Sequence, residues 1–408
     1  MRESAIGIRR DPRWTERSLS DVTELLRRGT APSYVSSSPI QVIGQRCVQL
    51  SGFKPEAARP HDPAQASRSL IAKRGDVLLN STGAGTIGRS CLFDDEGVFA
   101  VDSHVTALRA RRDLVEPRWI DLILRSPWGQ SRLETHCFSG STNQVELSRT
   151  ELSRTLIPVP PLDEQRRIIQ VIDTASAQEH AIEASIAKLR RMRQAILLDS
   201  LAPIGGSHPP RTWTRVPLRE VVPKAEYGIS EALDRGPQGL PVLRMNNLQN
   251  GRPELSELRY SSTPAPKGLE LRYGDVLFNR TNSIEHIGKS AMWRAELPKA
   301  TYASYLVRIN PDADRLLPEY LTEWLMHPVI RQRVRSISTV AVQQVNVNPT
   351  RLRELHIDMP LELGEQRRII DSLQSCDGQI DQERSGLVKL RKLKQGIMDD
   401  LLAGGEVR

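Results

Sequence analysis

The chain reads Pro161-Leu162-Asp163-Glu164-Gln165-Arg166-Arg167-Ile168-Ile169 in its middle and Leu361-Glu362-Leu363-Gly364-Glu365-Gln366-Arg367-Arg368-Ile369-Ile370 near its end. Two later stretches, Lys188-Leu189-Arg190-Arg191 and Lys389-Leu390-Arg391-Lys392, keep the same separation of 201 positions. About forty residues therefore repeat without a gap, at a period close to half of the 408 residues. A repeat of this size predicts a body with two similar halves, each of which meets the partner in the same way.

The repeat extends over the rest of the chain. Gly75-Asp76-Val77-Leu78-Leu79-Asn80 returns as Gly274-Asp275-Val276-Leu277-Phe278-Asn279, and Ile87-Gly88-Arg89-Ser90 returns as Ile287-Gly288-Lys289-Ser290. A Gly- and Pro-rich stretch between the halves indicates a domain boundary. The predicted divisions are two mixed domains at residues 1–158 and 211–358, two helical spacers at 159–202 and 359–408, and a linker at 203–210.

The helical parts carry a stripe of apolar residues spaced alternately by four and three positions. Each stripe has two charged interruptions, Glu179 and Arg193 in the first copy and Glu383 and Lys394 in the second. Asp163 is predicted to cap the first helix. A helix of roughly 38 residues is about 57 Å long and cannot bury one narrow stripe alone. The predicted pairing residues are Ile168, Ile172, Ile182, Ile186, Leu189, Ile196, Ile369, Leu373, Ile380, Leu387, Leu390 and Ile397.

The two helices are predicted to pair with each other as an antiparallel coiled coil. The short linker leads directly from the end of the first helix into the second mixed domain. A parallel pair would instead require the chain to run back along the helices. The alternative is that each stripe packs on its own mixed domain. The predicted fold class is therefore α+β, with two mixed α/β domains in pseudo-two-fold repeat, separated by two long helices that form an antiparallel coiled coil.

Composition narrows the class of partner. The net charge is +8 and the pI about 9.5, which favours an anionic partner and nucleic acid first. A hydrophobic fraction of 38% and a mean hydropathy of −0.40 are typical of a soluble globular protein. The four cysteines are far apart, which argues against a zinc ribbon or a disulfide framework and suits a reducing cytoplasm. No signal peptide and no apolar stretch of roughly 18 residues is visible, so no membrane is expected.

The sequence gives little support for a catalytic role. Gly83-Ala84-Gly85-Thr86-Ile87-Gly88 fits a nucleotide-binding pattern, but such glycines must open a helix, and a strand and a turn are predicted after them. The second copy has Ser283 and Glu285 where two of these glycines stood. No zincin, nucleophile-elbow or amino-methyltransferase motif is present. We therefore predict no catalytic residues, no metal site and no cofactor.

Polar runs follow equivalent predicted strands in both halves. Asn80 to Gly83 and Asn279 to Ser283 are dense in side chains that can donate to and accept from base edges. The alternative is that these are ordinary polar loops, but the repeat places polar, chemically different residues at the same two places. The candidate DNA-binding residues are Asn80, Ser81, Thr82, Arg89, Ser103, His104, Ser141, Thr142, Asn143, Gln144, Asn279, Arg280, Thr281, Asn282, Lys289, Tyr305, Thr339, Gln343 and Gln344.

Taken together, these motifs resemble the specificity subunit of a type I restriction-modification enzyme. The resemblance is carried by the Pro-Pro-Leu-x-Glu-Gln-Arg-Arg-Ile-like entry to each helix, from Pro160 to Ile168 and from Pro360 to Ile369. The Gly-Asp-Val-Leu turn and the Lys-Leu-Arg-x-x-x-Gln-x-Ile stretch complete it in both copies. The second copy departs from the pattern because it lacks the second proline and has Gly364 where Asp163 stood.

The resemblance implies a non-catalytic subunit that binds double-stranded DNA. Each mixed domain is then a target recognition domain that reads one half of a bipartite site through the major groove. The paired helices set the spacer and dock two methyltransferase (modification) subunits, which use S-adenosylmethionine to methylate adenine. Motor-nuclease (restriction) subunits join for cleavage. Two alternatives remain at this point, a coiled-coil scaffold with two protein-binding domains and an enzyme built on Gly83 to Ser90.

Overall fold

The computed structural model describes residues 14–140, 145–204, 206, 208–341 and 344–403. The chain divides into two compact units, one formed by residues 1–183 and 385–408 and the other by residues 184–384. Each unit therefore contains one mixed part and one half of each long helix. Within the described ranges, no helix is both long enough and apolar enough to cross a membrane.

The first unit is built mainly from short strands. Its strands are Thr15–Ser18 (β1), Thr23–Arg28 (β2), Ile40–Ile43 (β3), Val48–Gln49 (β4), Gly52–Phe53 (β5), Arg59–Pro60 (β6), Val77–Asn80 (β7), Ser90–Leu92 (β8), Val98–Val101 (β9), Val105–Ala110 (β10), Phe138–Ser139 (β11), Glu146–Leu147 (β12) and Leu156–Val159 (β13). Its helices are Leu19–Val22 (α1), Pro117–Arg125 (α2), Pro127–Arg132 (α3), Arg149–Arg154 (α4) and the first half of Leu162–Ser200 (α5).

The second unit repeats this order of elements. Its strands are Trp213–Pro217 (β14), Glu226–Tyr227 (β15), Leu240–Leu243 (β16), Leu248–Gln249 (β17), Arg252–Pro253 (β18), Arg259–Ser261 (β19), Val276–Asn279 (β20), Thr281–Asn282 (β21), Ser290–Met292 (β22), Thr301–Tyr302 (β23), Leu306–Arg308 (β24), Thr339–Ala341 (β25), Gln344–Asn346 (β26) and His356–Pro360 (β27). Its helices are Pro318–Met326 (α6), Pro328–Ser336 (α7), Pro349–Glu354 (α8) and the first half of Leu363–Ala403 (α9).

Both units use the same sheet topology. The first has a four-stranded antiparallel sheet of order β2-β10-β7-β8, a three-stranded sheet of order β6-β3-β9 and the pair β1-β13. The second has the orders β15-β24-β20-β22 and β19-β16-β23 and the pair β14-β27. The repeat in sequence is therefore a repeat of the fold. The prediction of two mixed domains with two long helices is confirmed.

The repeated Gly-Asp turn holds the central strand of each unit. Gly75 has a φ of +94°, a conformation that favours glycine, and the turn brings Asp76 into the interior. The carboxylate of Asp76 accepts two hydrogen bonds from Arg109, at 2.7 and 2.8 Å. Asp275 and Arg308 form the equivalent pair at 3.0 Å. Each β7 or β20 strand thus begins at an ion pair that fixes it to the neighbouring strand.

The glutamine of each Glu-Gln-Arg-Arg motif links the start of a long helix to the mixed part by hydrogen bonds to the backbone. Gln165 is fully buried, and its carbonyl oxygen accepts from the backbone N–H of Glu116 at 2.8 Å. Its amide donates to the carbonyls of Leu114 and Pro160, at 3.1 and 2.7 Å. The side chain therefore satisfies three backbone groups where α5 meets the start of α2. Gln366 is buried in the same way in the second unit.

In the first unit, the start of α5 lies beside the end of α9. Ile168 and Ile172 share a buried cluster with Met398, and Ile397 packs against that cluster. Two turns further along α5, the carboxylate of Glu179 pairs with the ammonium group of Lys394 at 2.8 Å. Two of the charged interruptions in the stripes are therefore partners across the helix pair.

In the second unit, the end of α5 lies beside the start of α9. Leu197 shares a buried cluster with Ile370 and Leu373. The guanidinium of Arg193 pairs with Asp377 at 2.7 Å and also with Glu323 of α6 at 2.6 Å. The start of each helix thus lies next to the end of the other in both units. The predicted antiparallel pairing is confirmed, and oppositely charged pairs help to specify its register.

At both ends of the helix pair, the apolar stripes contact the mixed parts as well as the other helix. The alternative that the stripes pack on their own domains therefore holds in part, since Ile168 and Ile172 join the core around Trp119. Of the predicted pairing residues, the structure buries Ile168, Ile172, Ile186, Leu373, Ile380 and Leu387, and it half-buries Ile182, Leu189, Ile196, Ile369, Leu390 and Ile397.

One predicted cap is corrected. The first helix begins at Leu162, and the N–H groups of Glu164 and Gln165 donate to the carbonyl of Pro161 at 3.0 and 2.9 Å. Asp163 therefore lies inside the first turn, where its negative charge interacts favourably with the helix dipole. The predicted domain boundaries stay predictions, because the compact division falls within the two long helices.

Candidate nucleic-acid interface

The central strand of each unit ends in the same hairpin loop. In the first unit, the N–H of Gly88 donates to the carbonyl of Asn80, and the N–H of Asn80 donates to Arg89, both at 2.9 Å. In the second, Gly288 donates to Asn279 at 2.8 Å. Both glycines have positive φ, at +81° and +73°. This loop closes onto the next strand, so its glycines do not open a helix as those of a phosphate-binding loop would.

Three of the predicted contact residues are corrected by their burial. Asn80, Ser81 and Asn279 have no exposed surface. The amide of Asn80 donates to the carbonyl of Gln45 at 3.2 Å, and the hydroxyl of Ser81 pairs with that of Thr106 at 2.6 Å. A base edge cannot reach these side chains. Asn80 and Ser81 instead form internal hydrogen bonds that hold the loop in place. β7 and β20 are buried on both faces, so the alternation along these strands does not predict that their last residues, Asn80 and Asn279, are covered.

In the first unit, polar side chains meet at the mouth of the loop. The hydroxyl of Thr82 lies 2.9 Å from Nδ1 of the exposed His104. The amide of Gln45 donates to the carbonyl of Thr82 at 2.6 Å. Ser103 is half-buried and donates to Asp102 at 3.0 Å. These contacts hold His104 at the surface, with Nε2 facing away from the Thr82 contact.

A groove of about 430 Å³ lies beside His104. On its wall the guanidinium of Arg59 stacks 3.7 Å from the ring centroid of Tyr34, and Arg46 contributes a second cation. The hydroxyl of Tyr34 donates to Asp102 at 3.4 Å. The sequence does not predict the Tyr34–Arg59 pair, because neither residue belongs to a repeated motif and only the fold brings them together.

Equivalent positions of the second unit carry different chemistry. Arg280 takes the place of Ser81, and Tyr305 takes the place of His104 as the residue whose carbonyl accepts from the loop, at 3.0 Å. Tyr305 is 47% exposed. The two loops therefore share a backbone but present different side chains.

The second loop is also stiffened by a small sheet of order β21-β26-β25. Thr281 and Asn282 form β21 and are half-buried. The hydroxyl of Thr281 donates to Asn346 at 3.0 Å, and that of the exposed Thr339 donates to the Asn346 carbonyl at 3.2 Å. Gln344 is exposed at the start of β26. Ser141, Thr142, Asn143, Gln144 and Gln343 lie outside the described residues.

A cluster of cations lies under the second loop. Lys289 has a lowered pKa because it is partly buried and lies near Arg331. Burial and the neighbouring Arg335 lower the pKa of Arg331 to about 10. Both arginines donate to backbone carbonyls, at 3.1 Å, and among the described residues neither forms an ion pair with a carboxylate. A group of cations without a directly paired carboxylate favours an anion such as a DNA phosphate.

Arg89 is the first unit's counterpart of Lys289. It is half-buried and donates to the carbonyl of Gly85 at 2.6 Å. Its guanidinium also lies 3.4 Å from the side-chain oxygen of Gln49, as Lys289 lies 3.0 Å from that of Gln249. The cation after the loop glycine is thus held against the same neighbouring turn in both units.

Comparison with known proteins gives the same family for both halves. The model of the type I restriction modification DNA specificity domain matches residues 12–190 and again residues 210–390. A putative type I restriction enzyme MjaX specificity subunit of Methanocaldococcus jannaschii is 27% identical over 48% of this chain and 47% of its own. The match therefore spans about half the length of that relative.

Two further relatives align over nearly the whole chain. The EcoKI specificity subunit of Escherichia coli K12 is 21% identical over 96% of this chain and 89% of its own. The crystal structure of a type I restriction-modification S subunit from M. genitalium superposes with a TM-score of 0.60 and 13% identity, covering 99% of both chains. The chain belongs to the family of type I restriction-modification specificity subunits and contains two copies of the family's DNA specificity domain.

Proposed function

We propose that this chain is the DNA-reading subunit of a type I restriction-modification complex, in which each domain reads one half of a bipartite site. The observation that carries the proposal is the shared loop backbone with different side chains beside it. These are the exposed His104 in one unit, and the half-buried Arg280 and the exposed Tyr305 in the other. A common backbone docks both domains on DNA in the same way. Different side chains then select different bases.

The two long helices are proposed to set the spacer between the half-sites. They run without interruption over 39 and 41 residues, and ion pairs such as Glu179–Lys394 fix their register. Half-sites one turn of DNA apart are separated by about 34 Å, which a helix of about 57 Å can span. The outer faces of the helices are proposed to dock two methyltransferase subunits, which supply the methyl-transfer chemistry, and nuclease subunits join the same complex.

The cation cluster is proposed to contact the phosphate backbone beside the second half-site. Replacing both Lys289 and Arg331 with alanine should weaken duplex binding for all sequences alike. The plot of log affinity against log salt should become less steep by roughly 1 to 2 units, because each phosphate contact contributes about 0.9. The measurement is a salt titration of the full-length chain on duplex DNA.

Arg351→Ala provides the matched control, because it removes an exposed cation of α8 outside the cluster. Its salt dependence should equal that of the unmodified chain. An unchanged slope in the double variant would remove the phosphate role from the cluster. Failure of the unmodified chain to bind duplex DNA with any salt dependence would contradict the proposed function itself.

A further inference from the structure

Arg280 has an unusually fixed backbone for a loop residue. It is the first residue after β20, and its N–H donates to the carbonyl of Tyr305 at 3.0 Å. Its own carbonyl accepts from the N–H of Val347 at 2.8 Å. The backbone is thus tied on both sides to neighbouring segments. The direction in which the side chain leaves the loop is set before any ligand arrives.

The guanidinium of Arg280 is supported by an aromatic ring. It lies 5.1 Å from the ring centroid of Tyr227, and one terminal nitrogen lies 3.5 Å from the carbonyl of Ser304. An aromatic platform orients a planar guanidinium and leaves its edge free. Tyr227 is 50% exposed and Arg280 is half-buried, so the pair lies at the edge of the unit's surface.

Arg280 also lacks the carboxylate partners that Arg308 of the same unit has. Arg308 is held by Glu226 and Asp275, at 2.7 and 3.0 Å. Arg280 is half-buried, yet no carboxylate among the described residues lies within ion-pair distance of it, and its Nε has no hydrogen-bond partner. A partly enclosed guanidinium without a carboxylate partner favours an external ligand that offers two acceptors to its terminal nitrogens.

We infer that Arg280 reads a guanine in the second half-site, with Tyr227 as the positioning residue. This inference rests on the proposed function. Guanine presents its O6 and N7 acceptors side by side in the major groove, and the fork of an arginine matches both. A phosphate is also a two-acceptor partner, but a pre-oriented, aromatic-backed group that follows the recognition strand suits a fixed base edge better than a mobile charge contact.

The first domain has no equivalent of Arg280 at this position of the loop. Ser81 occupies the equivalent position and is buried against Thr106. A guanine contact of this type is therefore expected in the second half-site alone. The first half-site then serves as an internal control in every experiment on Arg280.

The test selects bound sequences from a pool of duplexes with both half-sites randomised, using the full-length chain together with its methyltransferase subunits. Arg280→Ala should reduce the preference for guanine at one position of one half-site by about 10- to 100-fold. Arg280→Lys keeps the charge without the fork and should lose most of the same preference. The other half-site should keep its sequence, which also shows that the variant is folded.

Variants of Tyr227 test whether its ring positions the Arg280 side chain. Tyr227→Leu should weaken the guanine preference, and Tyr227→Phe, which keeps the ring, should preserve it. Equal weakening of all sequences in Arg280→Ala would make the residue a phosphate contact and overturn the inference. Preferences that stay unchanged in Arg280→Ala would also overturn it. If the unmodified chain selects no sequence at all, the proposed function fails instead.

Discussion

Removing one heptad from each long helix is expected to shorten the spacer of the recognised site by about three base pairs. The deletions are residues 180–186 of α5 and 384–390 of α9. Seven residues correspond to about 10.5 Å of helix, and the rise of DNA is about 3.4 Å per base pair. A whole heptad keeps both apolar stripes in phase and leaves the Glu179–Lys394 and Arg193–Asp377 pairs in place.

The measurement is the methylated motif of a host that expresses the shortened chain with its methyltransferase subunits. Both half-sites should keep their sequences, because the loops that read them are untouched. Deleting the heptad from α5 alone is the control, since helices of unequal length cannot keep both ion pairs and the motif should be lost. If the double deletion leaves the spacer of the methylated motif unchanged, the helices do not set the spacer length.

Replacing Gln366 with leucine is expected to be the most destabilising single change considered for the second unit. Its carbonyl oxygen accepts from the N–H of Leu317 at 2.9 Å, and its amide donates to the carbonyls of Arg315 and Pro360, at 2.9 and 3.0 Å. The leucine would leave one N–H and two carbonyls without their partner. Since each such group costs about 1–3 kcal/mol, the free energy of unfolding should fall by roughly 3 kcal/mol or more.

Thermal unfolding followed by circular dichroism measures this effect. Gln374→Leu is the matched control, because that glutamine is exposed on the same helix and its loss should change the midpoint little. Gln165→Leu should reproduce the large effect in the first unit. A midpoint for Gln366→Leu equal to that of Gln374→Leu would show that the hydrogen bonds of Gln366 contribute nothing to stability.

The long-range architecture could be predicted from the sequence, because it depends on periodicity. The stripe through Ile168 and Ile172 predicts a long helix, and the offset of 201 positions gives each element a counterpart. The antiparallel direction followed from the length of the linker. The identity of the ion-pair partners did not, since Arg193 finds Asp377 only through the register of the folded pair.

The candidate site was harder to predict, because it depends on which way individual side chains face. Asn80 and Arg280 occupy neighbouring positions in the repeat, yet the first is fully buried and the second is half-buried beside the exposed ring of Tyr227. The Tyr227–Arg280 and Tyr34–Arg59 pairs join segments that are far apart along the chain or carry no repeated motif. The repeat identifies equivalent loop positions in the two halves, but only the packing of the fold determines which of their side chains are exposed.

The most direct test of the central claim is a genome-wide map of N6-methyladenine in a host that expresses the methyltransferase subunits with this chain, without it, and with residues 1–158 exchanged for those of another family member. We expect a bipartite motif that disappears without the chain, and one half of it alone should change in the exchange. Two altered halves would contradict the assignment of one reader to each half-site. A motif that persists without the chain would contradict its role as the DNA-reading subunit.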